Sequence, residues 1–145
     1  MEKSDTVSET ITIRKAVVND LVQIEALIES YVEGGALLPR TFKELADLLD
    51  NFFVAEMDER IVGCAALDIY NRKLAEIRSL AVAQDAQGHG VGKMLVTACV
   101  ELARERQILE VMAISASEDF FKSCGFDFTL PNLRKAFFIQ TRDEL

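Results

Sequence analysis

The stretch from Leu74 to Ile114 constrains the fold more than any other part of the chain. Leu74 to Val82 has the mixed apolar pattern of a strand, and Leu109 to Ile114 is the short aliphatic run of another. Between them Val91, Met94, Leu95, Ala98 and Leu102 recur at helical spacing, up to the charged Arg104-Glu105-Arg106. Strand, helix and strand in that order make a βαβ unit with two parallel strands. Where the helix begins, the chain reads Gln87-Gly88-His89-Gly90-Val91-Gly92, with glycine at alternate positions.

The other segments can be placed around this unit. Ile11 to Lys15 reads as a short strand. Asp20-Leu21-Val22-Gln23 offers an acidic N-cap with Gln three residues on, and Leu21, Ile24, Leu27, Ile28 and Tyr31 form the apolar stripe of a helix. Gly34-Gly35 is expected to end that helix in the left-handed conformation open to glycine. Thr41-Phe42-Lys43-Glu44 is a capping box, and Phe42, Leu45, Leu48, Leu49 and Phe52 give a second helix its buried stripe. Phe53 to Glu56 and Ile61 to Tyr70 read as strands joined by a turn at Met57-Asp58-Glu59-Arg60. The nearly continuous apolar run from Ile61 to Leu67 puts the second of them inside the sheet. Beyond Ile114, Ser115-Ala116-Ser117-Glu118 can cap a short helix through Cys124, closed by Gly125. Phe126 to Leu130 and Lys135 to Arg142 are expected as a final antiparallel pair. The order predicts an α/β (α+β) single domain over residues 11–145, behind a flexible N-terminal tail of residues 1–10.

At 145 residues the chain is long enough to bury a core without staples. No apolar run approaches the roughly 20 residues of a membrane span. The start lacks the apolar stretch of a signal peptide, so a cytoplasmic address is expected. Cys64, Cys99 and Cys124 sit apart among apolar neighbours and read as small hydrophobes in a reducing compartment. A single histidine and no clustered ligand set argue against a metal site. A net charge of −8 argues against nucleic acid as a partner. An anionic ligand would therefore need a local site.

The alternate glycines admit three uses. They can ease a tight strand-to-helix turn. They can belong to a dinucleotide fingerprint, but the spacing departs from GxGxxG and no Rossmann unit opens the chain. Finally, they can form an anion cradle, where bare backbone lets a phosphate approach the unpaired amides at the start of a helix.

With its flanks this segment resembles the GNAT acetyltransferase superfamily. Gln87-x-x-Gly90-x-Gly92 matches the Q/R-x-x-G-x-G/A motif, EIRSLAV precedes it, and SEDFFKSCGF is similar to the family's FYEKxGF helix. The resemblance implies a mixed central sheet with a splayed parallel pair flanked by helices, and acetyl-coenzyme A (acetyl-CoA) as cofactor. By it, the amides of Gln87, Gly88, His89, Gly90, Val91, Gly92 and Lys93 hold the pyrophosphate. The pantetheine arm lies along Leu80, Ala81 and Val82, where a bulge parts this strand from Leu109 to Ile114. Phe120, Phe121 and Lys122 fall on the cofactor's other side. An arm so placed acts like a strand added to an interrupted ladder.

The implied reaction is attack of a neutral amine on a thioester. Glu76 occupies the strand position of the family's proton-removing acid; it could equally pair with Arg78 or face solvent. Ser115 and Ser117 are candidates to polarise the carbonyl or a water, and also fit as helix caps. Phe121 stands where a tyrosine often protonates coenzyme A (CoA), and His89 reads as an exposed loop residue. A closer resemblance, carried by GGALLPRT, FFVAE, GCAAL, LAEIRSLAV and FFKSCGF, is to the acetyltransferase domain of N-acetylglutamate synthases. It implies Arg40, Arg134 and Lys135 near a substrate carboxylate. Arg78, on the same side of the strand as Glu76, joins them as a candidate. The expectation is thus acetylation of the α-amino group of a small amino acid, glutamate first, in arginine biosynthesis. The alternatives are another amine, including a protein terminus, or a catalytically weak acyl-CoA-binding regulatory module. A homodimer through sheet edges is open.

Overall fold

The computed structural model describes residues 10–34, 37, 40–128 and 136–142. The chain forms two compact units, residues 1–114 and 115–145.

In the first unit, β1 (Thr12–Lys15), α1 (Leu21–Glu33), α2 (Phe42–Asp47), β2 (Phe52–Met57), β3 (Arg60–Ile69), β4 (Leu74–Val82), α3 (Val91–Glu105) and β5 (Glu110–Ala113) follow in order. The sheet runs β1-β2-β3-β4-β5. The first four strands pair antiparallel, and β4 pairs parallel with β5. The β2–β3 connection is a two-residue turn with Asp58 and Glu59 at φ of 52° and 62°, the left-handed pair that matches strand twist. The βαβ unit therefore forms as the spacing predicts, with β4 at the expected residues.

Helices cover both faces of this sheet. Cys64 and Ala66 of β3 share a core with Ile24 and Ile28 of α1, Leu45 of α2, and Phe52 and Val54 of β2. Gly63, one residue from Cys64, faces the other way: a β-carbon there would sit 2.9 Å from both Val91 Cγ1 and Leu95 Cδ1 of α3. Adjacent strand residues point to opposite faces, so α1 and α3 sandwich the sheet. Arg14 ties the open end of the sheet together, donating to Asp20 Oδ2 at 2.8 Å and to Glu56 Oε1 at 2.9 Å.

Several local expectations are corrected. Asp20 precedes α1 without capping it; its carboxylate accepts from Arg14 and from the Val17 amide. Gln23 completes no capping box there, since its side-chain oxygen accepts from the Ile61 amide at 3.4 Å. Gly34 has φ −81°, an ordinary helical value, while Gly35 lies outside the described residues. The Thr41–Glu44 capping box forms as expected, but α2 ends at Asp47 and Phe52 begins β2, fully buried. On α3, Met94 is exposed, and Val96, Cys99 and Ala103 complete the buried stripe.

In the second unit, α4 (Glu118–Ser123) forms and Gly125 closes it at φ +93°. The final antiparallel pair does not form among the described residues. The Phe126 amide donates to Phe121 O at the end of α4 rather than to a strand. Residues 136–142 make no ladder bond to a described neighbour, and Phe137, Phe138 and Ile139 stand exposed. No described group thus fixes an extended backbone there. Residues 1–9 of the expected tail and 129–135 lie outside the described residues.

Candidate functional site

The site starts where β4 changes phase. The pairs Ala66↔Arg78 and Cys64↔Ala81 leave two residues of β4, Ser79 and Leu80, opposite one of β3, which is a β-bulge. Ser79 takes φ +57°, buried, with its carbonyl 3.3 Å from the Cys64 thiol. Cross-strand partners share a face, so Glu76 and Arg78 lie on the α1 side with Asp68 and Ala66. After the bulge Ala81, not Leu80, takes that face. Pairing to β5 runs from Leu74↔Glu110 to Ile77↔Ala113 and goes no further, so the parallel pair parts as expected.

Beyond the bulge, the Ala83 amide donates to Val62 O of β3 at 2.7 Å. Backbone groups alternate between a strand's edges, so the N–H and C=O of Val82 point away from β3 toward the open side. There they meet the Tyr31 hydroxyl of α1. Tyr31 Oη donates to Val82 O at 2.5 Å and accepts from Val82 N at 3.3 Å. The Gln87 side-chain amide donates to Tyr31 Oη at 2.9 Å and to Val82 O at 3.3 Å. Ser30, Tyr31, Gln84 and Gln87 line a shallow open depression here.

Gln87 opens the glycine loop. Gly88 and Gly90 hold φ of +85° and +80°, and Gly90 is the N-cap of α3; Gly92 is already helical. The alternate spacing therefore reflects two left-handed positions and one helical position. A β-carbon at Gly88 or Gly90 would meet no described atom within 4 Å, so their backbone lies open to a ligand. The first intrahelical bond of α3 runs from Met94 N to Gly90 O, which leaves the preceding amides directed out of the helix. His89 is exposed on this loop and Lys93 in the first turn of α3, while Val91 is buried and anchors the helix start.

On the α1 side of the sheet, Glu76 accepts a hydrogen bond from the Tyr70 hydroxyl. Arg78 pairs with Asp68 at 2.9 Å, so the expected alternative of a Glu76–Arg78 pair gives way to two separate partners. Burial first, and then the bond to Glu76, push the Tyr70 hydroxyl up to about 12, so it remains a donor throughout the neutral range. Arg78 is partly buried, which opposes its charge; the bond to Asp68 and nearby Tyr70 and Glu76 more than compensate and raise its pKa. Glu44 at the start of α2 is held below the ordinary carboxylate range by the Thr41 amide, with Arg40 and Arg78 both adding to the effect. Glu25, Ile28, Glu29, Val32, Arg40 and Leu45 line a second small depression on this side.

Burial pushes the Cys64 and Cys99 thiols up to about 12, so neither is a thiolate at neutral pH. Among the described residues no cluster of His, Cys, Asp and Glu could hold a metal, and no helix is long and apolar enough to cross a membrane.

The remaining candidates belong to the second unit. Ser115 Oγ accepts from the Ser117 amide at 3.0 Å, whereas the Ser117 hydroxyl does not cap α4 although it stands at the N-cap. Phe121 sits edge-on to Phe120 and Phe126, with ring centroids 5.0 and 5.4 Å away. Lys122 pairs with Glu118 at 3.4 Å and lies 4.5 Å from the centre of the Phe128 ring. Arg134 and Lys135 lie outside the described residues. The sequence carries no signal that marks Tyr31, Tyr70 or Asp68 as site residues: Tyr31 reads as one apolar position of a helical stripe, and Tyr70 and Asp68 carry no local motif.

These elements define a class first: a five-stranded mixed sheet, helices on both faces, a parallel pair that parts, and a glycine loop opening the crossover helix beside the gap. The acetyltransferase (GNAT) family model matches residues 18–126, and the chain belongs to that family. It is 33% identical over 114 residues to an uncharacterised N-acetyltransferase of Chlorobaculum tepidum, covering 79% of this chain and 74% of the relative. It is 32% identical over 117 residues to an amino-acid acetyltransferase of Mycobacterium tuberculosis, covering 79% and 67%. Among solved structures, N-acetylglutamate synthase from Neisseria gonorrhoeae complexed with coenzyme A and N-acetyl-glutamate superposes with a TM-score of 0.72 at 32% identity. That match covers 80% of this chain but only 28% of the synthase.

Proposed function

We propose that this chain is an acetyl-CoA-dependent N-acetyltransferase that acts on the α-amino group of an amino acid, glutamate first. The observation that carries the reading is the gap after Ile77↔Ala113, which leaves the backbone edge of Val82 without a strand neighbour beside the open loop from Gln87 to Gly92. A pantetheine arm has amide donors and acceptors suited to such an edge, along Leu80, Ala81 and Val82. Two left-handed glycines and the unpaired amides of a 15-residue helix suit its pyrophosphate, from Gln87 through Lys93. This local cradle offsets the repulsion that a chain of net charge −8 exerts on an anion. The relatives named as amino-acid acetyltransferases and the CoA-bound synthase support the assignment.

When bound, acetyl-CoA supplies the thioester carbonyl at which the amine forms its amide bond, with CoA leaving. The chain's own residues handle the amine. Glu76, oriented by Tyr70, takes up the proton that the ammonium must lose. An α-amino group has a pKa near 7.7–8.0 against about 10.4 for lysine, so its deprotonation at pH 7 costs roughly 3 kcal/mol less. A single solvated carboxylate is an adequate base for that task. Phe121 has no proton to donate, and a thiol of pKa about 8.5 can leave without one. Arg40 is the candidate for a substrate carboxylate on this side of the sheet, Arg78 already pairs with Asp68, and Arg134 and Lys135 stay candidates on the sequence resemblance. The reading extends to a cytoplasmic setting, a role in arginine biosynthesis and a homodimer along an edge strand, β1 or β5.

The test is release of CoA thiol from acetyl-CoA across a panel of amino acids and other amines. Glutamate-dependent release is expected, and Arg40→Ala should raise the KM for glutamate more than it lowers kcat. Tight CoA binding with no release for any amine would favour the regulatory module that Phe121 leaves open.

A further inference from the structure

Tyr31 has the hydrogen-bonding pattern of a missing strand residue. A neighbouring strand in a ladder donates to and accepts from the same residue of its partner. The Tyr31 hydroxyl does both at Val82, through Oη to Val82 O at 2.5 Å and Val82 N to Oη at 3.3 Å. A phenolic hydroxyl has one proton and two lone pairs. Here the proton goes to Val82 O, and the lone pairs accept from Val82 N and Gln87 Nε2, which leaves no capacity for a ligand. Gln87 also donates to Val82 O, so a side chain from the glycine loop secures the same contact. The Tyr31 ring packs against the core beneath α1, which fixes the hydroxyl's reach.

We infer that Tyr31 occupies the Val82 rung of the pantetheine groove and competes with the arm for it. This rests on the functional reading above, in which the arm pairs with Leu80 to Val82. A ligand that uses the Val82 amide and carbonyl must first displace Tyr31 and release Gln87. Apparent affinity is then the intrinsic affinity multiplied by the fraction of molecules with the rung open. The contact also explains an otherwise unassigned polar atom on an apolar helix stripe.

The test is Tyr31→Phe, which keeps the packed ring and removes only the hydroxyl. Calorimetric titration with coenzyme A is compared with titration by adenosine 3′,5′-bisphosphate, which has no arm. The variant should bind coenzyme A roughly five- to tenfold more tightly, the scale of losing one or two net hydrogen bonds from the closed state. Its affinity for the bisphosphate should stay within about twofold of the wild type. In the ligand-free proteins, the Val82 amide should exchange with solvent faster in the variant. Weaker or unchanged coenzyme A binding overturns the inference alone, as does an equal shift for both probes or an unchanged Val82 exchange rate. Failure of both proteins to bind coenzyme A overturns the functional reading and this inference with it.

Discussion

Gly63→Ala tests how tightly α3, and with it the glycine loop, is seated on the sheet. The added methyl would lie 2.9 Å from Val91 Cγ1 and Leu95 Cδ1 and 3.4 Å from Ala55 Cβ. Val91 and Leu95 are fully buried, and a β-branched valine has little rotamer freedom, so relief must come from a shift of α3. Overpacking of this kind costs about 1–3 kcal/mol. Reduced unfolded-chain freedom returns about 0.4–1 kcal/mol. The net is a loss of about 1–2 kcal/mol, or roughly 3–6 °C in Tm for a chain of this size. Thermal and urea melts measure it. Leu95→Ala alone should cost about 2–5 kcal/mol, and about 1 kcal/mol less in the Gly63→Ala background, because the new methyl occupies vacated space. A Tm that holds or rises, or strict additivity of the two substitutions, would refute the argument that α3 has no room to move.

Other perturbations separate backbone, electrostatics and chemistry. Asp20→Asn should destabilise by about 2–3 kcal/mol at pH 7, since the buried carboxylate accepts from Arg14 and the Val17 amide. The bond from Arg14 holds the Asp20 carboxyl below its usual range. Its contribution is therefore complete above the unfolded value near 3.9 and lost as pH falls through the folded one. Urea melts at pH 7 and pH 3 should show the gap between wild type and variant narrowing; an equal gap at both would refute the charge-based account. Gly90→Ala meets no clash, so its cost is left-handed strain of about 1–2 kcal/mol, together with at least tenfold weaker CoA binding by titration. Tyr70→Phe removes the hydroxyl that donates to Glu76. The kcat for glutamate should fall by about three- to tenfold, the scale of one net hydrogen bond, with coenzyme A affinity unchanged; an unaltered kcat would refute the positioning role of Tyr70.

Much of the fold is legible in the sequence where punctuation is local. The bounds of β4 follow from its flanking loops, α3 from the glycines that precede it, and α2 begins at its Thr41–Glu44 box. Asp20 defeats the same logic because its partner, Arg14, lies on the preceding strand, outside any capping window, and draws the carboxylate away from the helix. Strand alternation puts Glu76 and Arg78 on one face, but their partners are set by the β3–β4 register, which brings Tyr70 and Asp68 alongside them. Ser79 gives no signal at all, since serine has no particular preference for the left-handed region that it occupies. Tyr31 shows a different limit: periodicity registers its ring and is blind to its hydroxyl. The last segment differs among the described residues: an apolar run becomes a strand only by pairing and packing, and Phe137-Phe138-Ile139 stands exposed without a described ladder bond.

The bulge at Ser79 has a consequence measured in chain length rather than in chemistry. A regular strand would run on from Arg78 to Val82 flat beside its neighbours, and β5 could zip along its whole edge. One surplus residue bends the strand just where pairing with β5 stops. The gap therefore depends on a count: a single deletion between Arg78 and Ala81 would restore the alternation and close the sheet, whichever residue was lost. Substitutions at Leu80 leave that count intact. A change of length in Ser79-Leu80 would erase the opening itself.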